Sequence, residues 1–277
     1  MIIKNIKMLA AVLLAAVLSA MLFAGCSVKN NKKADETTET TESLTVRVMF
    51  PEGSTAVQIA QLLEKNGVCP AEDFLAAAND REIAAKYGFD IPDPENRSFL
   101  LEGYLFPDTY DFYRGESAET AIGRFLKNTA SKYDGEFIAR CGEKGFTLDE
   151  ILSLASVIQE EAGDPAEMGK VSSVLNNRLE SKRFPKLQCD VTVFYLNEYV
   201  KPYVSEERFE ELKELYNTYI CSGLPEGPIT NSGIDAVYAA LDPDETDWFF
   251  FVTDADGVYH YAETWEEHVA NCREAGI

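Results

Sequence analysis

The chain has 277 residues, 46% hydrophobic and 11% aromatic, enough for one or two packed domains. Its 47 acidic residues outweigh 25 basic ones to give a net charge of −22. Nucleic acid is held largely by Lys and Arg on phosphates, so this balance argues against it as a partner and favours a neutral or weakly charged ligand; the charge itself fits a solvated surface.

Residues 1–26 read as an export segment and not as part of the fold. Lys4 and Lys7 form a positive start, and the apolar run Met8 to Gly25 leads into Leu22-Phe23-Ala24-Gly25-Cys26. Small residues just before a cysteine look like a bacterial lipoprotein signal, with Cys26 lipidated as the new N-terminus. The run is also long enough to remain as a spanning helix. Either way, the body is expected on the extracytoplasmic side, anchored to the cell membrane. Residues 27–43 are polar Lys, Asn, Thr and Glu with almost nothing apolar after Val28, a disordered tether.

The folded body begins near Leu44. Leu44, Val46, Val48 and Phe50 alternate with Thr45, Arg47 and Met49 as a strand does, Pro51-Glu52-Gly53-Ser54 is a turn, and Val57 to Glu64 has helical spacing closed by Asn66-Gly67. Phe74 to Tyr87 reads as further helix. Ile91-Pro92-Asp93-Pro94 breaks regular structure and is the expected domain boundary. Beyond it, Leu100 to Pro107 is an aromatic loop, and helices are expected over about 117–133 and 148–162. Asp164, Pro165 and Glu167 predict a capping box for a third helix with Met168, Val171, Leu175 and Leu179 on one face. Trp248 to Val252 and Val258 to Tyr261, joined by Asp254-Ala255-Asp256-Gly257, predict a hairpin, and Thr264 with Glu267 caps a last helix. The pattern is α+β, with short strands and no βαβ series. Cys69, Cys141, Cys189, Cys221 and Cys272 form neither a disulfide framework nor CxxC pairs, so no metal site is expected.

In the helix Ile151–Ala162, a 3.6-residue period puts Ile151, Leu154, Ala155, Ile158 and Ala162 on one face with Glu161 at its edge. Glu160 points nearly the opposite way, towards solvent. A carboxyl beside apolar side chains, at the carbonyl end of a helix, holds its proton more tightly, as a general acid must. His260 and His268 form no HExxH, Ser156 lies in no GxSxG, and both histidines are expected to satisfy hydrogen bonds in the hairpin and last helix.

Several longer strings occur in a fixed order. They are Leu101-Glu102-Gly103-Tyr104-Leu105-Phe106-Pro107, Gln159-Glu160-Glu161-Ala162, Val174-Leu175-Asn176-Asn177-Arg178-Leu179, Leu187-Gln188-Cys189-Asp190-Val191-Thr192, Tyr216-Asn217-Thr218-Tyr219, and Gly223-Leu224-Pro225-Glu226-Gly227-Pro228-Ile229. Together they resemble the endolytic murein transglycosylases, the MltG or YceG-like family, from about Leu44 to the end. The resemblance implies a small LysM-like subdomain over 44–94, able to grip N-acetylglucosamine or only to pack, followed by a mixed α/β YceG-like catalytic domain over 95–277. It implies peptidoglycan glycan strands as substrate, cut between N-acetylmuramic acid and N-acetylglucosamine to leave a 1,6-anhydro end. It also implies work beside the glycan-polymerising machinery, with no cofactor. Many relatives carry Glu where this chain has Gln159, and the second Glu of their Glu-x-Glu matches Glu161, the expected catalytic acid and base. Gln188, Asp190, Asn217, Asn177, Arg178, Thr192, Tyr216 and Tyr219 are candidates for orienting sugar groups, and Glu102 with Tyr104 for closing one wall. Two other readings stay open: a glycan-binding lipoprotein without activity, and a hydrolase that pairs Glu161 with Asp190.

Overall fold

The computed structural model describes residues 43–89, 91–92 and 94–277, and Ser43–Ile277 form one compact unit. The export segment with Cys26, and the tether up to residue 42, lie outside the described residues. Among the described residues, no helix is long and apolar enough to cross a membrane.

Strand β1, Thr45–Met49, turns Val48 inward and pairs antiparallel with β2, Thr109–Tyr113, in the register Val48 opposite Tyr110. Its partner strand therefore comes from beyond residue 94. Between them, helix α1 (Ala56–Lys65) starts at a Thr55–Gln58 capping box and buries Val57, Ile59, Ala60 and Leu63. The stretch 74–87 is not one helix. Helix α2 (Ala71–Ala78) ends at Asn79, whose amide donates to the Leu75 carbonyl and whose side-chain oxygen accepts from Leu100 N–H. Asp80 then caps α3 (Arg81–Lys86) by accepting from Glu82 N–H at 2.8 Å. Two short polar side chains competing for backbone groups explain the break. Helix α4 (Ala118–Lys132) sends Phe125 into the rings of Phe50, Phe74, Tyr110 and Phe112, joining sheet and helices in one aromatic core. Helix α5 (Gly135–Glu143), capped by Asp134, was not expected from the sequence.

Helix α6, Leu148–Glu161, opens on a Thr147–Glu150 capping box and is buried nearly all round. Leu152, Ser153, Ser156 and Val157 are covered as well as the expected apolar face, because α7 (Pro165–Glu180) and α10 (Ile234–Leu241) both pack on it. Ser156 is tolerated inside because its hydroxyl donates to the Ser153 carbonyl and accepts from Ile229 N–H at 3.0 Å. Helix α7 starts at Asp164 and Pro165, but the expected capping box is not closed. The Glu167 carboxylate is taken instead by Lys170 and by the Tyr261 hydroxyl at 2.7 Å.

Helix α8 (Asp190–Tyr195) runs on into a π turn, Leu196–Val200, and α9 (Glu206–Tyr216) follows. The hairpin forms as expected from β3 (Phe250–Thr253) and β4 (Tyr259–Ala262), and α11 (Trp265–Ala275) packs on it behind a Thr264–Glu267 capping box.

Candidate active site

Helix α6 delivers Glu161 as its last residue. The end of the helix is fixed from outside: the Tyr259 hydroxyl of β4 donates to the Glu161 carbonyl at 2.9 Å and accepts from Gly163 N–H at 3.0 Å. The Glu161 carbonyl is one of those that a helix end leaves without an internal partner, and Gly163 N–H lies just past that end. The Glu161 side chain is half-buried on a cavity of about 510 Å³. Desolvation pushes its carboxyl up to about 7; the adjacent Cys189 thiol works the other way, and the charges of Asp190 and Glu160 add to the rise. Cavities of about 530 and 520 Å³ open elsewhere, so size does not single this one out. Its chemistry does, since a carboxyl poised near neutral pH shares it with a buried cation and aromatic rings.

The neighbouring glutamate follows expectation only in part. Glu160 is exposed, but its carboxyl end is not free in solvent, because a Cβ added at Gly53 would lie 2.6 Å from its Oε1. Desolvation raises its pKa too. Gln159 acts as a brace, since its side-chain oxygen accepts from Gly233 N–H at 2.9 Å and ties the 229–233 loop to α6.

The opposite wall comes from 187–190 and α7. Arg178 spans it, donating through Nε to the Lys186 carbonyl at 2.9 Å, through Nη1 to the Phe249 carbonyl at 3.0 Å, and through Nη2 to the Gln188 side-chain oxygen. Gln188 has φ +59°, the only non-glycine in the left-handed region among the described residues. Such a conformation costs a residue with a Cβ about 1–2 kcal/mol and persists where surrounding bonds impose it. Here Gln188 N–H donates to the Thr218 carbonyl, and Cys189 N–H to the Thr218 hydroxyl. Asp190 accepts from the Tyr219 hydroxyl at 2.7 Å on the same wall.

Of the residues singled out from the sequence, the structure thus gathers Glu161, Arg178, Gln188, Asp190 and Tyr219 around one cavity. The others lie elsewhere. Glu102 is 1% exposed and accepts from Ala56 N–H, from the Asn231 amide at 2.7 Å and from the Tyr195 hydroxyl at 3.3 Å. It knots α1, α8 and the 229–233 loop together inside the protein, and burial pushes its carboxyl up to about 8. Tyr104 is buried with its hydroxyl on Asp149 at 2.8 Å, and Tyr216 is buried with its hydroxyl accepting from Ser98 N–H. Thr192 is fully covered and donates to the Cys189 carbonyl. Asn177 donates to the Thr246 and Trp248 carbonyls, and Asn217 accepts from Tyr219 N–H at the end of α9. None of these side chains lines the Glu161 cavity, and Asn177 lines a different one.

The third wall was not foreseen. It is made by Phe250, Phe251 and Val252 of β3 with Trp265, His268 and Cys272 of α11. Of the two histidines, His260 is hydrogen-bonded as expected, to Asp254 at 2.9 Å. His268 departs from expectation: its Nδ1 is buried without a hydrogen-bond partner, while Nε2 lies 3.6 Å from the Cys272 thiol, and burial lowers its pKa. Among the described residues, no group of three or more His, Cys, Asp or Glu is placed to hold a metal ion.

Comparison with known proteins supplies the context for this arrangement. A 230-residue stretch is 33% identical to a Bacillus subtilis (strain 168) protein named endolytic murein transglycosylase, covering 80% of this chain and 63% of that protein. A protein of the same name from Streptococcus pneumoniae serotype 2 (strain D39) is 28% identical over 257 residues, which is 86% of this chain and 46% of that one. The chain therefore spans between about half and two thirds of the length of these relatives. A crystal structure of a yceG-like protein from Listeria monocytogenes matches with a TM-score of 0.69 at 29% identity, over 81% of this chain and 74% of that one. The family model described as YceG-like matches residues 23–274. That match takes in the β1–β2 sheet, the Glu161 helix and the hairpin that clamps it, and the chain belongs to the YceG-like family.

Proposed function

We propose that the chain is an endolytic murein transglycosylase, as its relatives are named, with Glu161 as the single acid and base. The observation that carries this reading is the Glu161 carboxyl, pushed up to about 7 on a cavity of about 510 Å³. The substrate is a peptidoglycan glycan strand, and the bond cut joins N-acetylmuramic acid to N-acetylglucosamine. Glu161 gives its proton to the bridging oxygen as the C1–O bond breaks. The C6 hydroxyl of the muramic residue closes on C1 and returns its proton to the Glu161 carboxylate, leaving a 1,6-anhydro end. No water is consumed, so one carboxyl suffices. A hydrolase would need a second one to activate water, and Asp190, the other acidic side chain on the cavity wall among the described residues, accepts a hydrogen bond from the Tyr219 hydroxyl.

Digestion of purified glycan strands, with the products weighed, tests the reading. Lytic cleavage gives ends one water lighter than reducing ends. Reducing ends would point to the Glu161–Asp190 hydrolase, and intact strands to a binder without activity. Glu161→Gln is expected to abolish cleavage in a folded protein, and Glu160→Gln to retain it; the reverse pattern would move the acid to Glu160.

We also place the body on the extracytoplasmic side of the cell membrane, anchored by the segment ending at Cys26 and working beside the glycan-polymerising machinery. The charge pattern of residues 1–26 supports the first and the family resemblance the second. Metabolic labelling with a fatty-acid analogue distinguishes a lipid anchor, labelled in wild type and unlabelled in Cys26→Ala, from a retained spanning helix, unlabelled in both.

A further inference from the structure

We propose that Arg178 is a receptor for a carboxylate on the glycan bound in the Glu161 cavity. The inference rests on the glycan-cleaving reading above and adds the chemical group that the site recognises.

Two arginines are buried to a similar degree, Arg97 at 6% exposure and Arg178 at 7%. They are treated differently. Arg97 has its charge matched by Asp149 in a buried ion pair. Arg178 has no ion pair among the described residues, and its three acceptors are all neutral: the carbonyls of Lys186 and Phe249 and the amide oxygen of Gln188. The Phe250 ring, 5.5 Å from its guanidinium carbon, covers another side. Burial lowers the pKa of Arg178, whereas Asp149 helps to raise that of Arg97.

An unmatched buried cation is costly, and proteins normally pair or hydrate such charges. Holding α7 to the 186–188 segment and to Phe249, just before β3, requires N–H donors but no charge. The charge is explained if its partner arrives with the ligand. A guanidinium has five N–H donors, and three are used here, so two remain for the fork geometry that fits a carboxylate. Arg178 lines the same cavity as Glu161. The anions a murein strand offers are carboxylates: the lactyl ether acid of the muramic residue where no peptide is attached, and the acids of the stem peptide where one is. The net charge of −22 opposes an anion at long range. That repulsion is screened beyond about 8 Å at physiological ionic strength, while a contact inside a cavity is not.

The main comparison of the test changes the substrate. Peptide-free strands are compared with the same strands after conversion of the lactyl carboxyls to methylamides, and peptide-bearing strands with strands whose peptide acids are amidated. Cleavage is followed with wild type, and binding by calorimetry with Glu161→Gln. One amidation is expected to weaken binding and raise KM by about tenfold, a difference of about 1.4 kcal/mol, and the pair that responds identifies the source of the carboxylate. Equal binding within both pairs would overturn the proposal. Should wild type cut neither substrate, the catalytic reading fails, while the calorimetric comparison still decides the role of Arg178. Arg178→Gln, shown to be folded by circular dichroism, is expected to bind free and amidated strands alike; discrimination that survives in it would also overturn the assignment.

Discussion

The Tyr259 hydroxyl holds the backbone on both sides of Ala162, donating to the carbonyl of Glu161 at 2.9 Å and accepting from Gly163 N–H at 3.0 Å. The hairpin that builds one wall of the cavity is thus bonded to the helix end that presents the acid. Tyr259→Phe removes both bonds and keeps the ring. Stability is expected to fall by about 1–2 kcal/mol, and kcat by about tenfold or more with KM little changed, since the loss is in placement of the acid and not in sugar contacts. Parallel changes in kcat and KM would show that the hairpin acts on binding instead.

The pH dependence of activity should follow the Glu161 carboxyl. Its proton is the one donated, so cleavage is expected to decline as pH rises through about 7. The same shift has a stability consequence of definite sign. The folded state holds this proton more tightly than the unfolded chain, whose carboxyl titrates near the ordinary 4.5, so stability is lost as pH rises from 4.5 to about 7. Glu161→Gln should therefore raise the melting temperature at pH 8 and change it little at pH 4. A variant no more stable than wild type at pH 8 would contradict the desolvated environment.

Glu102 is a knot in the interior, and its substitution should be read in stability first. Ala56 N–H, the Asn231 amide and the Tyr195 hydroxyl all donate to its oxygens. Its carboxyl is protonated below about 8, so the NH2 group of Glu102→Gln stands where the acid has an O–H donor, and the cost in denaturant unfolding at pH 6 is expected to stay below about 1 kcal/mol, against about 3 kcal/mol or more for Glu102→Ala, which leaves the three donors without an acceptor. A Gln variant as unstable as the Ala variant would mean that the carboxyl is ionised in the folded protein.

Gln188 combines a left-handed backbone with a bond to Arg178. Gln188→Gly relieves about 1 kcal/mol of backbone strain while losing one hydrogen bond of similar worth, so net stability should change by less than about 1 kcal/mol. Binding is expected to suffer, because Arg178 loses the acceptor that orients it; titration of glycan strands into the Glu161→Gln background measures this.

Much of the local structure was legible because it depends on neighbours in the chain. The Thr264–Glu267 box, the Asp254–Gly257 turn and the strand at Thr45–Met49 all formed where residue spacing put them. Helices α5 and α9 had comparable signals that went unused, Asp134 before Phe137 and Cys141, and Ser205 before Phe209, Leu212 and Tyr216. The Asp164–Glu167 box failed for a reason that local spacing contains only in part: Lys170 takes one oxygen of the Glu167 carboxylate, and Tyr261, 94 residues away, takes the other.

For the site, the sequence by itself determined that Glu161 sits at the edge of an apolar helix face and that Glu160 turns away from it, since both follow from a period of 3.6 residues. Tertiary structure alone decided which motif residues meet it. Arg178, Gln188, Asp190 and Tyr219 reach the cavity, while Glu102, Tyr104, Thr192 and Tyr216 are buried and do not line it. Periodicity fixes the direction of a side chain on its own element, but whether solvent, a cavity or another element lies there depends on segments distant in sequence packing together. Tyr259, 98 residues from the carbonyl it holds, is the clearest case.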